Sequence, residues 1–426
     1  MNMFLKALFI LYFCIMKIEI INIGDELLIG QVVNTNASWM AEQFNLAGFE
    51  VVQITSISDT FSHIFESLDL AKNRADVIVM TGGLGPTNDD VTKEALCKYF
   101  DTTLVFNEEV YARVEALFKL RGFKMSEINR KQAELPANCI PLKNIHGTAA
   151  GMWFEQDNQI IVSIPGVPFE MKTLVSDEII PLLLKKFNPG IIINKTVLTQ
   201  GIGESALAEI IQHWEDSLPS HFKLAYLPQP GMVRLRLTTR GTDRSKLQNE
   251  FDVQMAALQK LIPELIFGYN DETIEQIVVK SLLEKQMTIS AAESCTGGYV
   301  SHLITSISGS SGCFMGSVVA YNNRIKEKML GVSAETLLKF GAVSKEVVIE
   351  MALGVQSSFK TDYAISVSGI AGPDGGTEEK PVGTIWIAIA TPDKKIIANK
   401  YLFGEHRGRN IRKAALTALN MIRKEI

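Results

Sequence analysis

The sequence predicts an α/β protein in which two α/β domains flank a small α+β segment. Three observations carry this. Short apolar runs alternate with amphipathic stretches from Lys17 to about Gly166 and again from about Met287 to the C-terminus. Glycine-rich turns follow two of the apolar runs directly, and the intervening part has one long alternating strand. Alternation of strand and helix argues for parallel sheets, whose ligands gather at the carboxyl ends of the strands.

At 426 residues the chain has room for about three domains. With 46% hydrophobic and 21% charged residues it has the composition of a globular protein rather than a disordered or collagen-like one. The net charge of −5 and the absence of a Lys/Arg block speak against a broad phosphate-backbone footprint, so no nucleic-acid partner is expected. Five scattered cysteines with no C-x-x-C signal neither a disulfide framework nor a zinc site, which fits a reducing cytoplasm.

Taken in order, "FLKALFILYFCIM" is too short to span a bilayer and lacks a small-x-small cleavage site. Residues 1–15 are therefore expected to be an extension, with translation beginning at Met16 and no membrane association. The runs "IEIINI", "FEVVQITSI" and "DVIVM" read as strands, separated by helices over "NASWMAEQFNLAG" and "SHIFESLDLAKNRA". Asn107 is suited to cap a helix with Val110, Val114, Leu117 and Phe118 on its apolar face, and Gly122 to end it. "GMWFEQDNQIIVSIPG" reads as a hairpin. After about residue 194, "KTVLTQ", the helix "ESALAEIIQHW" and the strand "MVRLRLTTRG" form the α+β segment. Asp271 is placed to cap the helix "ETIEQIVVKSLLEKQ". "MTISAA", a helix from Thr296, "CFMGSVVAY", helices after Ser333 and Ser344, three further strands and a last helix with Arg407 and Arg412 complete the second α/β domain. The boundaries drawn are 16–170, 171–263 and 264–426.

"VIVMTGGLGPTNDD" puts Gly82, Gly83 and Gly85 between a buried strand and a helix expected to open near Asp89. Backbone amides of such a turn, with Thr87 beside them, suit a phosphate. The stretch is neither a P-loop nor a dinucleotide fingerprint, since no G-K-[ST] follows and Asn88 occupies the third glycine position. Asp25, Glu26 and Asp59 follow the first two strands and are expected to converge with Asp89 and Asp90, which would suit Mg²⁺ or a similar hard cation.

"IGDELLIGQVVNTNASWMAEQ", "TGGLGPTNDD", "GTAAGM" and "PGVPFEM" together resemble the molybdopterin-binding-like domain that opens proteins of the CinA (competence/damage-inducible protein) family. The resemblance implies a metal-dependent ADP-ribose pyrophosphatase, with Gly147 and Gly166 added to the ligand contacts.

In "AAESCTGG", Ser294, Cys295 and Thr296 stand side by side. Cysteine is the better intrinsic nucleophile, but its usual role is a buried filler, and no histidine signature accompanies it. Serine can be activated by a desolvated lysine, and "VVAYNNRIKEKML" offers Tyr321, Lys326 and Lys328 after the next strand. Amides near Thr296 and Gly297 suit an oxyanion. Gly369, Ala371 and Gly372 suit close approach of a ribose phosphate, and Arg407 suits pairing with it.

These segments, with "GAVSKEVVIEMA" and "VSGIAGPDGGTEEKPVGTIWIA", are similar to the CinA C-terminal domain, the nicotinamide mononucleotide (NMN) deamidase. The resemblance implies Ser294 as nucleophile with Tyr321 and Lys326 as activating partners, and no cofactor for that reaction. It also implies a KH-like middle segment, although Lys172–Pro263 has no G-x-x-G clamp for nucleic acid, and a homodimer. The expected function is a bifunctional hydrolase acting on NMN and ADP-ribose. The alternatives are a deamidase whose first domain only binds a nucleotide or pterin, and a DNA-uptake or damage-response factor.

Overall fold

The computed structural model describes residues 16–87, 90–187 and 189–426. The 1–15 extension and Asp89 lie outside the described residues. The chain divides into two compact units, one running to Ile193 with Arg240–Gln248, the other comprising Asn194–Thr239 and Asn249–Ile426.

The first unit is built on strands β1 (Lys17–Ile23), β2 (Glu50–Ile57), β3 (Val77–Thr81), β6 (Ile140–Leu142), β7 (Gly151–Gln156) and β8 (Gln159–Ile164), after the short β4 (Leu104–Phe106) and β5 (Glu134–Pro136) form a separate pair. The sheet order is β2-β1-β3-β8-β7-β6. The first four strands run parallel, β7 runs antiparallel to β8, and β6 runs antiparallel to β7. Residues of β1 alternate between the two faces of the sheet, and all but Lys17 are buried because both faces are covered. Ile18 and Ile20 pack with Met40 and Phe44 on one face, while Ile21 and Ile23 pack with Ile64, Leu68 and Val114 on the other. Glu19 interrupts the pattern: its fully buried carboxylate is held by Arg74 at 2.8 and 2.9 Å and by Thr55 at 3.0 Å.

Several local readings hold in detail. Asn107 accepts from the Val110 amide and caps the helix Glu108–Leu120, after which Gly122 takes φ 73°. Asp157 and Asn158 have positive φ in the β7–β8 turn, as a two-residue hairpin demands. Others are corrected. The helix after the glycine turn opens at Thr92, not near Asp89. The helical segment Pro168–Lys186 belongs to the first unit, because Met171, Leu174, Val175, Ile179 and Leu183 bury in its core; that unit extends past residue 170.

In the second unit, β9 (Ile191–Gln200), β10 (Phe222–Gln229), β11 (Met232–Gly241) and β12 (Ile266–Tyr269) form a sheet in the order β10-β11-β9-β12. Strands β13 (Ile289–Glu293), β14 (Phe314–Val319), β15 (Tyr363–Gly369), β16 (Thr384–Ala390) and β17 (Ile396–Leu402) form another, ordered β14-β13-β15-β16-β17. Its first three strands are parallel and its last two antiparallel. Ala291 faces the helices Ile274–Glu284 and Arg407–Glu425, while Ala292 faces Lys345–Phe359, so both faces are covered. Ile274–Glu284 is capped by Thr273 in a reciprocal capping box with Gln276, not by Asp271. The helix expected from Thr296 opens at Tyr299, with Gly298 at φ 100° before it. Among the described residues no helix is long and apolar enough to cross a membrane.

Candidate functional site

The nucleophile turn is built from the end of β13. The Ser294 amide donates to the Val367 carbonyl of β15 at 2.9 Å, which fixes the residue at the sheet edge. Glu293, fully buried, accepts from the Gly298, Val300 and Ser301 amides and from the Ser301 hydroxyl at 2.6–3.1 Å. One carboxylate thus satisfies the opening amides of the helix Tyr299–Thr305 and shapes the turn that carries Ser294. Sequence reasoning passed over this residue; an acidic side chain ending an apolar strand before a Gly-Gly turn was the available signal.

Lys326 lies on the short helix Asn323–Leu330, which Asn322 caps and Gly331 ends at φ 68°. Its Nζ is 3.0 Å from Ser294 Oγ and donates to the Ala320 carbonyl at 2.8 Å. The Ala320 amide in turn donates to the Glu293 carbonyl at 2.7 Å, which ties the lysine's support to the nucleophile's own strand. Lys326 is 1% exposed, and burial lowers its pKa from the usual lysine value. That shift moves the amine toward the neutral form a general base needs. Cys295 is also buried, and burial pushes its thiol up to about 12, so it holds almost no thiolate at neutral pH.

A cavity of about 210 Å³ opens over Ser294, bordered by Tyr321, Lys326, Ser368, Gly369, Ala371 and Arg407. Tyr321 is 62% exposed, and its hydroxyl meets Arg407 Nη2 at 3.0 Å rather than Ser294 or Lys326. Tyr321 stands at the cavity mouth, with Arg407. Arg407 also donates to the Gly372 carbonyl at 2.8 Å. Gly369 and Gly372 are required by protein packing: a Cβ would sit 2.5 Å from Ile385 in the first and 2.5 Å from Val382 in the second. Gly372 is outside the cavity lining. The Gly297 amide donates to the Ser294 carbonyl at 3.1 Å and is not available to an oxyanion; Thr296 lies beside it with a buried, unpartnered hydroxyl.

In the first unit, a cavity of about 400 Å³ at the carboxyl ends of β1, β3 and β8 is bordered by Glu26, Asp59, Gly82, Gly83, Gly85 and Gly166, among others. Gly82 has φ 112° and would place a Cβ 2.1 Å from the Ile23 carbonyl; Gly83 has φ 63° and would meet Thr92 at 2.1 Å. Gly166 accepts from Asn36 at 2.7 Å. Glu170 borders the same cavity and was not anticipated. It is held by Asn144, whose side chain also accepts from the His146 and Gly147 amides. Gly147 is outside the lining but backs Glu170, whose Oε2 would lie 1.8 Å from a Cβ there.

The expected carboxylate convergence is only partial. Glu26, Asp59 and Asp90 reach the cavity, whereas Asp25 does not. Asp90 accepts from the amide and hydroxyl of Thr87, which closes the turn. Among the described residues no three of His, Cys, Asp and Glu gather as a metal-holding group.

Comparison with known proteins follows the same division. Residues 19–185 match a family model described as a probable molybdopterin binding domain, 194–268 the damage-inducible protein CinA KH domain, and 271–426 the CinA C-terminal domain. A CinA-like protein of Flavobacterium psychrophilum is 48% identical over 96% of this chain and 99% of its own length. One from Cytophaga hutchinsonii is 46% identical over 96% and 97%. A putative competence-damage inducible protein of Caldicellulosiruptor saccharolyticus is 41% identical over 96% and 99%.

Proposed function

The chain belongs to the CinA family, and from that premise we propose that its second unit hydrolyses the carboxamide of NMN with Ser294 as nucleophile and Lys326 as base. The observation that carries this reading is the 3.0 Å approach of a buried lysine amine to a buried serine hydroxyl beneath a small cavity. Ser294 Oγ adds to the carboxamide carbon as its proton passes to Lys326 Nζ. The tetrahedral intermediate collapses when that proton is returned to the leaving nitrogen, and ammonia departs. Water then attacks the acyl-enzyme as Lys326 takes its proton, the ester bond to Ser294 Oγ breaks as Lys326 returns that proton to the hydroxyl, and nicotinic acid mononucleotide leaves. Arg407, held at the mouth by Tyr321 and the Gly372 carbonyl, is the cation that meets the substrate phosphate. No step in this sequence calls for a cofactor.

The test is ammonia release from NMN by wild type, Ser294→Ala and Cys295→Ala. Loss in the first variant with activity kept in the second supports the reading; the reverse pattern, or an inactive wild type, overturns it.

For the first unit we propose a phosphate-bearing nucleotide, ADP-ribose, as guest of the glycine cradle. Release of AMP and ribose phosphate in the presence of Mg²⁺ tests the pyrophosphatase reading, and binding without turnover supports the alternative of a binding domain. The competence role in the names of the Caldicellulosiruptor relatives would instead require salt-dependent DNA retention.

A further inference from the structure

Arg407 is anchored at two points, the Tyr321 hydroxyl and the Gly372 carbonyl. The second point lies on a loop that another residue of the same helix holds. Arg407 and Asn410 are three residues apart at the opening of the helix Arg407–Glu425, so their side chains leave neighbouring points of one face. Arg407 donates to the Gly372 carbonyl, and Asn410 Nδ2 donates to the Ala371 carbonyl at 3.0 Å. Consecutive carbonyls of the loop after β15 are thus clamped to the first helical turn.

Asn410 is 1% exposed, and its Nδ2 also donates to the Gly404 carbonyl at 2.7 Å. It therefore joins the loop after β15 to the loop after β17. These loops meet closely: a Cβ on Gly372 would lie 2.9 Å from the Glu405 carbonyl oxygen, and one on Gly383 would lie 2.3 Å from that of Gly404. Packing sets how near the loops come, while directional hydrogen bonds set which way the Ala371–Gly372 backbone faces. The buried Oδ1 of Asn410 has no hydrogen-bond partner among the described residues, so the amide serves there only as a double donor. A leucine would fill similar space without an orphaned oxygen, but it would leave both carbonyls unheld. The asparagine is explained by the carbonyls it holds.

We propose that Asn410 is a positioning residue for the substrate phosphate: by orienting the Ala371–Gly372 backbone, it sets the anchor that keeps Arg407 at the cavity over Ser294. Ala371 and Arg407 border that cavity and Asn410 does not, so it acts only through them. This role rests on the reading of Arg407 as the cation that meets the phosphate. It leaves the chemistry at Ser294 and Lys326 to those residues, so binding rather than the chemical step is affected.

The test is NMN turnover by the full chain, with kcat and KM separated, in a double-mutant cycle of Asn410→Leu and Arg407→Met. Each substitution alone is expected to raise KM about tenfold or more, with a smaller change in kcat. Asn410→Leu added to Arg407→Met is expected to raise KM less than about twofold further, because the group it positions is already gone. A merely structural asparagine predicts multiplied effects instead, or a fall in kcat at unchanged KM. Asn410→Ser keeps one donor and is expected to give a smaller KM rise of the same kind; it stands in if circular dichroism shows the leucine variant unfolded. Multiplied effects overturn the proposal alone, as do an unchanged KM in both Asn410 variants and a failure of both to fold. An inactive wild type, or Arg407→Met with unchanged KM, overturns the phosphate reading and this proposal with it.

Discussion

At the scale of single residues, Lys326 carries the sharpest expectations. Replacing it by Met is expected to lower NMN turnover about 10²–10⁴-fold, and Arg is expected to do no better, because a guanidinium stays protonated. Burial lowers the Lys326 pKa, so kcat/KM is expected to rise with pH and level off below the usual lysine value of 10.5. The same shift bears on stability. Between the folded and unfolded pKa values the unfolded chain holds a proton that the folded chain has released, so raising pH through that window favours the folded state. Urea unfolding from pH 7 to 10 is expected to show the wild type gaining stability relative to Lys326→Met; a constant difference would mean that the amine is not desolvated as described. Glu293 offers a second test. Glu293→Ala strands three amides and a hydroxyl inside the turn. A loss of roughly 3 kcal/mol or more in unfolding free energy is expected, together with lost ammonia release. Unchanged stability would show that the turn holds its shape without the carboxylate.

At the scale of elements, the loop 144–150 shows how a glycine places an acid. Glu170 occupies the space where a Gly147 side chain would stand, and Asn144 holds the carboxylate there at 2.6 Å. Gly147→Ala, whose backbone needs no left-handed conformation, is therefore expected to push Glu170 aside at little cost to the melting temperature. ADP-ribose binding, followed by calorimetry, is expected to fall about tenfold, with NMN turnover unchanged; equal ADP-ribose affinity would remove Glu170 from the site. The strands were legible in the sequence because both faces of each sheet are covered, which leaves β1, β3, β13 and β15 predominantly apolar and almost wholly buried. Helix starts were less so. Asp271 and Thr273 are both good caps, and only the reciprocal bond with Gln276 decides between them. Ser294 was legible as one of three candidate nucleophiles after a strand and Lys326 as one of two lysines after the next; only the family resemblance singled out this pair. For Tyr321 a strand end fixed the residue's position beside the cavity but not where its hydroxyl points, which is to Arg407. Likewise, an amphipathic stripe such as Met171–Leu183 does not reveal which sheet buries it.

At the scale of the whole molecule, each candidate reaction site is complete within its own stretch of chain. Every residue bordering the cavity over Ser294 lies between 294 and 407, and the sheet beneath it, β14-β13-β15-β16-β17, draws on nothing before Ile289. The core under that sheet is less self-contained, because Leu198 and Phe267 are buried in it. A chain restricted to residues 270–426 is thus expected to keep its chemistry and lose stability. The missing side chains leave apolar surface open that is worth about 1.5–3 kcal/mol each when buried, and for a domain of this size a few kcal/mol lowers the melting temperature by about 10 °C. Ammonia release from NMN by this fragment is expected to stay within about tenfold of the full chain at a temperature where circular dichroism shows it folded. That margin allows for a factor of ten in rate, equivalent to about 1.4 kcal/mol of barrier. A folded fragment that is a hundredfold slower would mean that residues before 270 order the nucleophile turn, and the catalytic unit would have to be redrawn to include them. A fragment that matches the full chain in both rate and melting temperature would instead show that Leu198 and Phe267 cover the core without supporting it.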